Sequence, residues 1–255
     1  MKKIFTTILG IVLATCFVVS CEKDDSNNDT PNPPATAVSG PFTGANGRTI
    51  FFAKGNLYKD NGTYKIFPNQ YDFVNSTQYD QRAGVDLFFW NENNGLNNSF
   101  SINGSNWMLP SFDDWKNILI RNSRPGATVN GTPGRLFTKT KIGETKGVMI
   151  CPDNVTLDNA PQISIWNNDT VIYYNPLSLE DWQIFDNAGF VFLPTPGVVF
   201  NGQICYVGEE ANYWSSTISN DTVGCLMFNE AFIATSRGSV ASINYGFAVR
   251  LIQVR

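Results

Sequence analysis

The sequence predicts an α+β domain built from many short antiparallel strands and two short helices. Three observations carry that prediction. From about Gly47 to Arg255 the apolar residues fall in short runs rich in Val, Ile, Phe, Tyr and Thr, and Gly, Asn and Asp punctuate them. That is the pattern of strands and tight turns. Only two segments carry helical signals, and both open on Ser-x-x-Asp. Finally, the first and last strand candidates are both apolar, β-branched or aromatic, so the two ends of the domain are expected to pair.

Taken in order, residues 49–53, 56–59 and 63–67 read as strands, the last two joined as a hairpin by Asp60-Asn61-Gly62. Asn-Gly supplies the positive φ values that a two-residue hairpin turn needs. The first helix begins at Ser111-Phe-Asp-Asp114 and runs on through Trp115, Ile118 and Leu119. The second begins at Ser178-Leu-Glu-Asp181 and stops at Gly189, a natural left-handed C-terminal residue. Each helix puts a tryptophan, Trp115 or Trp182, on its apolar stripe, and both are expected in the core. Further strands are expected at 147–151, 163–166, 171–174, 190–193, 204–207, 213–216, 225–228 and 246–254. In the last of these, Arg250 is expected to form a buried or half-buried charge pair. Ser215, Ser216 and Thr217 are expected to satisfy backbone groups where a strand turns.

Ahead of this domain the composition is different. Lys2 and Lys3 precede an apolar run from Ile4 to Val19, then Val18-Val19-Ser20-Cys21, then Glu22-Lys23-Asp24-Asp25. A basic start, a short apolar core and a small residue before the cut describe a secretory signal peptide over residues 1–20. A membrane span would need about 20 apolar residues, and Thr6, Thr7, Gly10 and Thr15 dilute this run. Cysteine after Val-Val-Ser resembles a lipobox, which implies acylation of Cys21 by palmitate-type chains and a lipid anchor. Glu-Lys-Asp-Asp resembles the lipoprotein export signal of Bacteroidetes, which implies an outer-membrane protein facing the cell exterior. Residues 21–46 are acidic and then proline-rich, and read as a tether. Residues 47–255 form the domain.

Composition excludes several chemistries. The chain has no histidine, which removes Ser-His-Asp and Cys-His catalysis and every histidine-bearing zinc site. Without Lys2 and Lys3 there are 16 basic against 22 acidic residues, a net charge of −6, and no basic stripe that would bind nucleic acid. Cys151, Cys205 and Cys225 lack metal-knuckle or CxxC spacing. They read as small buried residues, with one disulfide as the alternative.

Four motifs in order resemble a known family. Trp107-Met-Leu-Pro-Ser-Phe-Asp-Asp-Trp115 is similar to the segment that opens the first helix of formylglycine-generating-enzyme-type C-type-lectin-like domains. Val191-Phe-Leu-Pro194, Asn212-Tyr-Trp-Ser-Ser-Thr217 and Tyr245-Gly-Phe-Ala-Val-Arg-Leu251 complete the series, and Phe51-Phe-Ala-Lys-Gly-Asn-Leu57 fits its start. Together they resemble the Fibrobacter succinogenes major paralogous domain over roughly residues 47–255. The resemblance implies a C-type-lectin-like fold.

The parent enzymes of that fold oxidise cysteine with paired cysteine ligands. Here neither Cys205 nor Cys225 has the catalytic sequence context, and Tyr206-Val207 and Leu226-Met227-Phe228 predict burial instead. No catalytic residue and no cofactor are expected. Calcium lectins use Glu-Pro-Asn or Gln-Pro-Asp before Trp-Asn-Asp. Phe67-Pro68-Asn69 lacks the carboxylate, and Trp166-Asn167-Asn168-Asp169 comes too early, so no calcium cage is assembled.

The resemblance implies instead a display face between the Tyr-Trp-Ser-Ser motif and the last strand, residues 218–245. Candidate ligand-binding residues there are Asn220, Asn229, Glu230, Phe232, Arg237 and Asn244, with the aromatic and the arginine as anchors. The function expected is non-catalytic binding of an extracellular protein or glycan. A structural or accessory role in a cell-surface assembly is the alternative. Asp169-Thr-Val171 and Asp221-Thr-Val223 match a Bacteroidetes-like O-glycosylation triplet.

Overall fold

Ile50 pairs with Val254 and Phe52 with Ile252, so the two ends of the domain lie side by side as antiparallel strands, Thr49–Phe52 against Ile252–Val254. The computed structural model describes residues 40–74, 85–91, 96, 99–120, 124–134, 137–166, 174–220, 222–234 and 240–255. All of them belong to one compact unit, Asn32–Arg255. The expected anchor at Cys21, the expected ligand residue Arg237, residues 171–173 and the acidic residues of both glycosylation triplets lie outside the described residues.

Among the described residues the fold is mostly short antiparallel strands with two α-helices. Leu57–Asp60 and Thr63–Ile66 form the expected hairpin, with Asn61 at φ 48° and Gly62 at φ 80°. A four-stranded sheet is ordered Asn175–Leu177, Phe137–Ile142, Thr145–Ile150, Val191–Pro194, and only its first pair is parallel. A second four-stranded sheet is ordered Gln203–Cys205, Val198–Phe200, Gly246–Phe247, Phe88–Phe89. A long hairpin pairs Ala211–Ser219 with Thr222–Phe228, and the second of these also carries Ile233–Ala234 and Val240–Ser242 along its other edge.

Helix α1 spans Phe112–Ile120 and helix α2 spans Leu179–Asn187. In α2, Ser178 and Asp181 exchange hydrogen bonds of 3.0 and 3.3 Å as a capping box, and Gly189 follows at φ 83°. Before α1, Ser111 and Asp114 bond in the same reciprocal way, and the Thr217 hydroxyl accepts the Phe112 N–H. Ser215 Oγ donates to the Gly224 carbonyl. Ser215 and Thr217 thus bond to backbone as expected, but they sit inside the Ala211–Ser219 strand at a register shift between Trp214 and Ile218, not where it turns.

Tryptophans mark the core. Trp115 packs with Phe52, Tyr213 and the terminal strands, Trp214 with Trp107, Trp90 and Phe247, and Trp182 with Phe185 and Phe192. These five are at most 4 % exposed, and such rings contribute both area and edge-to-face pairing.

Three further expectations are corrected. Residues 163–166 form no strand; the Ile165 carbonyl is taken by the Thr138 hydroxyl and by Asn175 Nδ2, and Asn175 Oδ1 takes the Ser164 N–H. Side-chain bonding there replaces a ladder. The run at 246–254 is broken after Phe247 and resumes at Ile252.

Between Phe247 and Ile252 the backbone bonds to other segments, Ala248 to Asn212 and Trp214, the Val249 carbonyl to Leu57 and the Leu251 carbonyl to Ala53. Arg250, in this stretch, is fully buried yet bonds to neutral oxygens where a charge pair was expected. Its Nε donates to Asn56 Oδ1, its Nη1 to the carbonyls of Ala53 and Lys54, and its Nη2 to those of Gln70 and Phe192. Asn56 in turn donates to the Tyr213 hydroxyl, which donates to the Pro194 carbonyl. One guanidinium therefore ties the N-terminal strand region, the residue-70 turn and the central sheet together. Burial pulls it down to about 10, still above neutrality, so it stays charged.

Candidate functional site

Tyr206 departs most from local backbone preference. Its φ is +60°, and every other described non-glycine residue at positive φ is asparagine. A bulky residue in the left-handed region costs roughly 1–2 kcal/mol, so the surroundings must hold it there. The Tyr206 carbonyl accepts the N–H groups of Glu209 and Glu210 at 2.9 and 3.0 Å, and the Gly208 N–H donates to Thr195. Gly197 closes the other side by donating to the Glu210 carbonyl at 2.9 Å. At Gly197 φ is +85°, and a Cβ would stand 2.5 Å from the Cys205 carbonyl, so only glycine lets the two segments meet.

The result ends the expected strand at 204–207 after Cys205 and turns the Tyr206 ring outward. Tyr206 is 58 % exposed and Phe200 45 %. Burial around Tyr206 was the expectation, and it is corrected: the left-handed backbone reverses the side-chain direction that a strand would have given. Cys205 is half-buried, and Cys151 and Cys225 are buried. All three are free thiols, so the disulfide alternative is not realised among them. Burial pushes the thiols of Cys151 and Cys225 up to about 12.

Phe200 is set at the end of a two-residue hairpin, with Asn201 and Gly202 at φ 50° and 74°. Its ring lies 5.3 Å from Tyr245, which stacks at 5.8 Å on Phe247, and Phe247 packs at 4.2 Å against Trp214. This row of rings runs from the surface to the core. Gly246 permits it: a Cβ there would stand 2.7 Å from that of Val199, in the strand paired with it.

Between these rings and the long hairpin is a cup of about 360 Å³, walled by Phe200, Cys205, Tyr206, Met227, Tyr245 and Phe247 together with Glu210 and Asn212. Asn212 is 2 % exposed. Its Nδ2 donates to Glu210 Oε1 at 2.9 Å, while its Oδ1 accepts no hydrogen bond. An unsatisfied buried acceptor costs about 1–3 kcal/mol. Next to the cup is an open hollow of about 570 Å³ lined by Tyr206, Glu209, Glu210, Asn229, Glu230 and Ala231. Tyr206 and Glu210 belong to both, so the two form one groove, apolar on one side and acidic on the other.

The ligand-binding residues expected from sequence divide between two places. Asn229 and Glu230 line the hollow. Asn229 Oδ1 is engaged by the N–H groups of Ala231 and Phe232, so its first role is to make the turn. Glu230 pairs with Lys146, and its carbonyl accepts from Lys139. Phe232 is half-buried beside this turn. Asn220 and Asn244 are exposed at the opposite end of the Thr222–Phe228 strand, where Thr222 pairs with Ser242. Seven residues at about 3.3 Å each put Asn220 roughly 20 Å from Asn229, whereas Asn244 directly precedes Tyr245, a wall of the cup. Asn220 therefore shares no site with Asn229 and Glu230.

Phe200, Tyr206, Glu209, Glu210, Asn212, Tyr245 and Phe247 were not anticipated as site residues. The available signal was Val207-Gly-Glu-Glu210, a glycine turn with two adjacent carboxylates directly after an apolar run. Among the described residues no group of three or more Cys, Asp and Glu side chains could hold a metal ion. Comparison of the chain with protein-family models, with curated proteins and with solved structures finds no match.

Proposed function

We propose that this chain is a surface-anchored lipoprotein whose C-type-lectin-like domain binds an extracellular partner without catalysing a reaction. The anchor rests on the Lys2-Lys3 start, the short apolar run and Cys21 followed by acidic residues. The lectin-like reading rests on the four ordered motifs, and on their neighbours in space. In the Tyr-Trp-Ser-Ser segment the Trp214 carbonyl accepts from Trp115 Nε1 of helix α1 at 3.3 Å, and the Ser216 N–H donates to the Pro110 carbonyl just ahead of that helix.

The observation that carries the binding function is Tyr206. A strained backbone that presents an exposed aromatic ring between two cavities is the arrangement of a recognition site. The binding face is accordingly centred on Tyr206, Phe200 and Glu210, and it takes in only the Asn229–Glu230 part of the 218–245 segment.

Capture from intact cells tests this. Full-length protein carrying Tyr206→Gly should lose a partner that the unmodified chain retains, because the ring is removed while the backbone is relieved. Equal capture by both chains would end the reading. Capture only of sister subunits in stoichiometric amounts would favour the accessory-subunit alternative.

A further inference from the structure

We infer that the groove at Tyr206 takes a lysine or arginine side chain of an extracellular polypeptide; this rests on the binding-face reading above. The apolar half of the groove has the shape and chemistry for an aliphatic stem, with Phe200, Met227 and Phe247 as walls. Apart from the Tyr206 and Tyr245 hydroxyls and the Cys205 thiol, which can also donate, its polar side chains offer acceptors. Glu210 contributes a carboxylate, and Asn212 has its Nδ2 already committed to Glu210 and its Oδ1 unpartnered. A ligand whose polar end only donates is therefore the complement. Lysine and arginine are the side chains that carry donors and no acceptor on a long apolar stem.

Charge points the same way. Glu209, Glu210 and Glu230 converge on the adjoining hollow, and no lysine or arginine is among the described residues lining either cavity. Lys146 and Lys139 both reach Glu230, at its carboxylate and its carbonyl, so the acidic excess is that of Glu209 and Glu210. The exposed ring of Tyr206 stands between the two halves, where a cation passing over its face gains a further attraction. A neutral sugar would bring as many acceptors as donors to a wall that has few donors to offer.

The test uses full-length protein in detergent and fluorescein-labelled Lys-Ala-Lys-Ala-Lys, its arginine counterpart and its Nε-acetylated form, with maltohexaose and chitohexaose as neutral competitors. Fluorescence anisotropy should show binding of the two basic peptides that weakens with added salt. Acetylation, Glu210→Gln and Tyr206→Gly should each weaken it by roughly tenfold or more, on the scale of one charge-assisted contact. The thermal midpoint of Tyr206→Gly, read alongside, should not fall, which separates loss of the site from loss of the fold.

Absence of binding by the basic peptides, equal binding of the acetylated one, or indifference to both substitutions would overturn the inference. Binding of a neutral oligosaccharide that Tyr206→Gly abolishes would also overturn it, while leaving the binding face intact. Unchanged capture of the cell-surface partner by Tyr206→Gly would remove both readings together.

Discussion

Single residues carry much of the account, and Tyr206 is the sharpest case. Tyr206→Gly exchanges a strained residue for one that adopts φ +60° freely, at the cost of a more flexible unfolded chain. These effects nearly cancel, so calorimetry should find stability unchanged or raised by up to about 1 kcal/mol. Arg250 behaves in the opposite way. Arg250→Met fills the space but leaves five buried oxygens without a donor, and denaturant unfolding should record a loss of about 3–5 kcal/mol. The cysteines give a chemical check. Burial holds Cys151 and Cys225 as thiols to about 12, and the thiolate is the reactive form. Iodoacetamide at pH 8 should leave both unlabelled in the folded protein and label both in guanidinium.

At the scale of elements, capping and turn chemistry made much of the fold legible in the sequence. Ser-x-x-Asp located both helices, and Asp60-Asn61-Gly62 located the first hairpin, because these signals act within four residues of chain. The strand at 163–166 and the unbroken run at 246–254 failed for a shared reason. Asn175 in one case, and the backbone of Ala53, Leu57, Asn212 and Trp214 in the other, take up groups that a continuous ladder would have used, and none of these partners lies within the run itself.

Asp114 shows how one cap can join elements. Besides Ser111 it accepts the Ala45 N–H at 2.8 Å and pairs with Arg48. Burial alone would raise this carboxyl, but the bonds from Arg48, Ser111 and Ala45 outweigh it and hold it below the usual carboxylate value. Its folded-state value is thus below the unfolded one. The stability it supplies is present above about pH 4 and is lost as pH falls through the folded-state value. Asp114→Asn should flatten that acid-side decline and cost about 1–3 kcal/mol at pH 7, as chemical denaturation across pH would reveal. Gly197→Ala, by contrast, should open the Thr195–Glu210 clamp whatever the pH.

On the scale of the whole molecule, the strand-rich class with two helices was legible in the sequence and the site was not. Short apolar runs, turn residues and helix caps are contiguous patterns, and each can be read where it stands. The groove is assembled from Phe200, Tyr206 to Asn212, Asn229 to Ala231 and Tyr245 to Phe247, four stretches that only the sheet pairings bring together. Its governing residue was hidden as well, since nothing local in Cys205-Tyr206-Val207 signals a left-handed backbone. The proposed groove is therefore built around a place where the chain departs from its own local preferences.

The most direct test puts a photoreactive benzoylphenylalanine in place of Phe200, and separately in place of Asn220, in the full chain on intact cells. The account predicts that ultraviolet irradiation traps a partner from position 200, at the groove, and none from position 220, at the tip of the hairpin, which lines neither cavity. Trapping from position 220 with none from position 200 would contradict it.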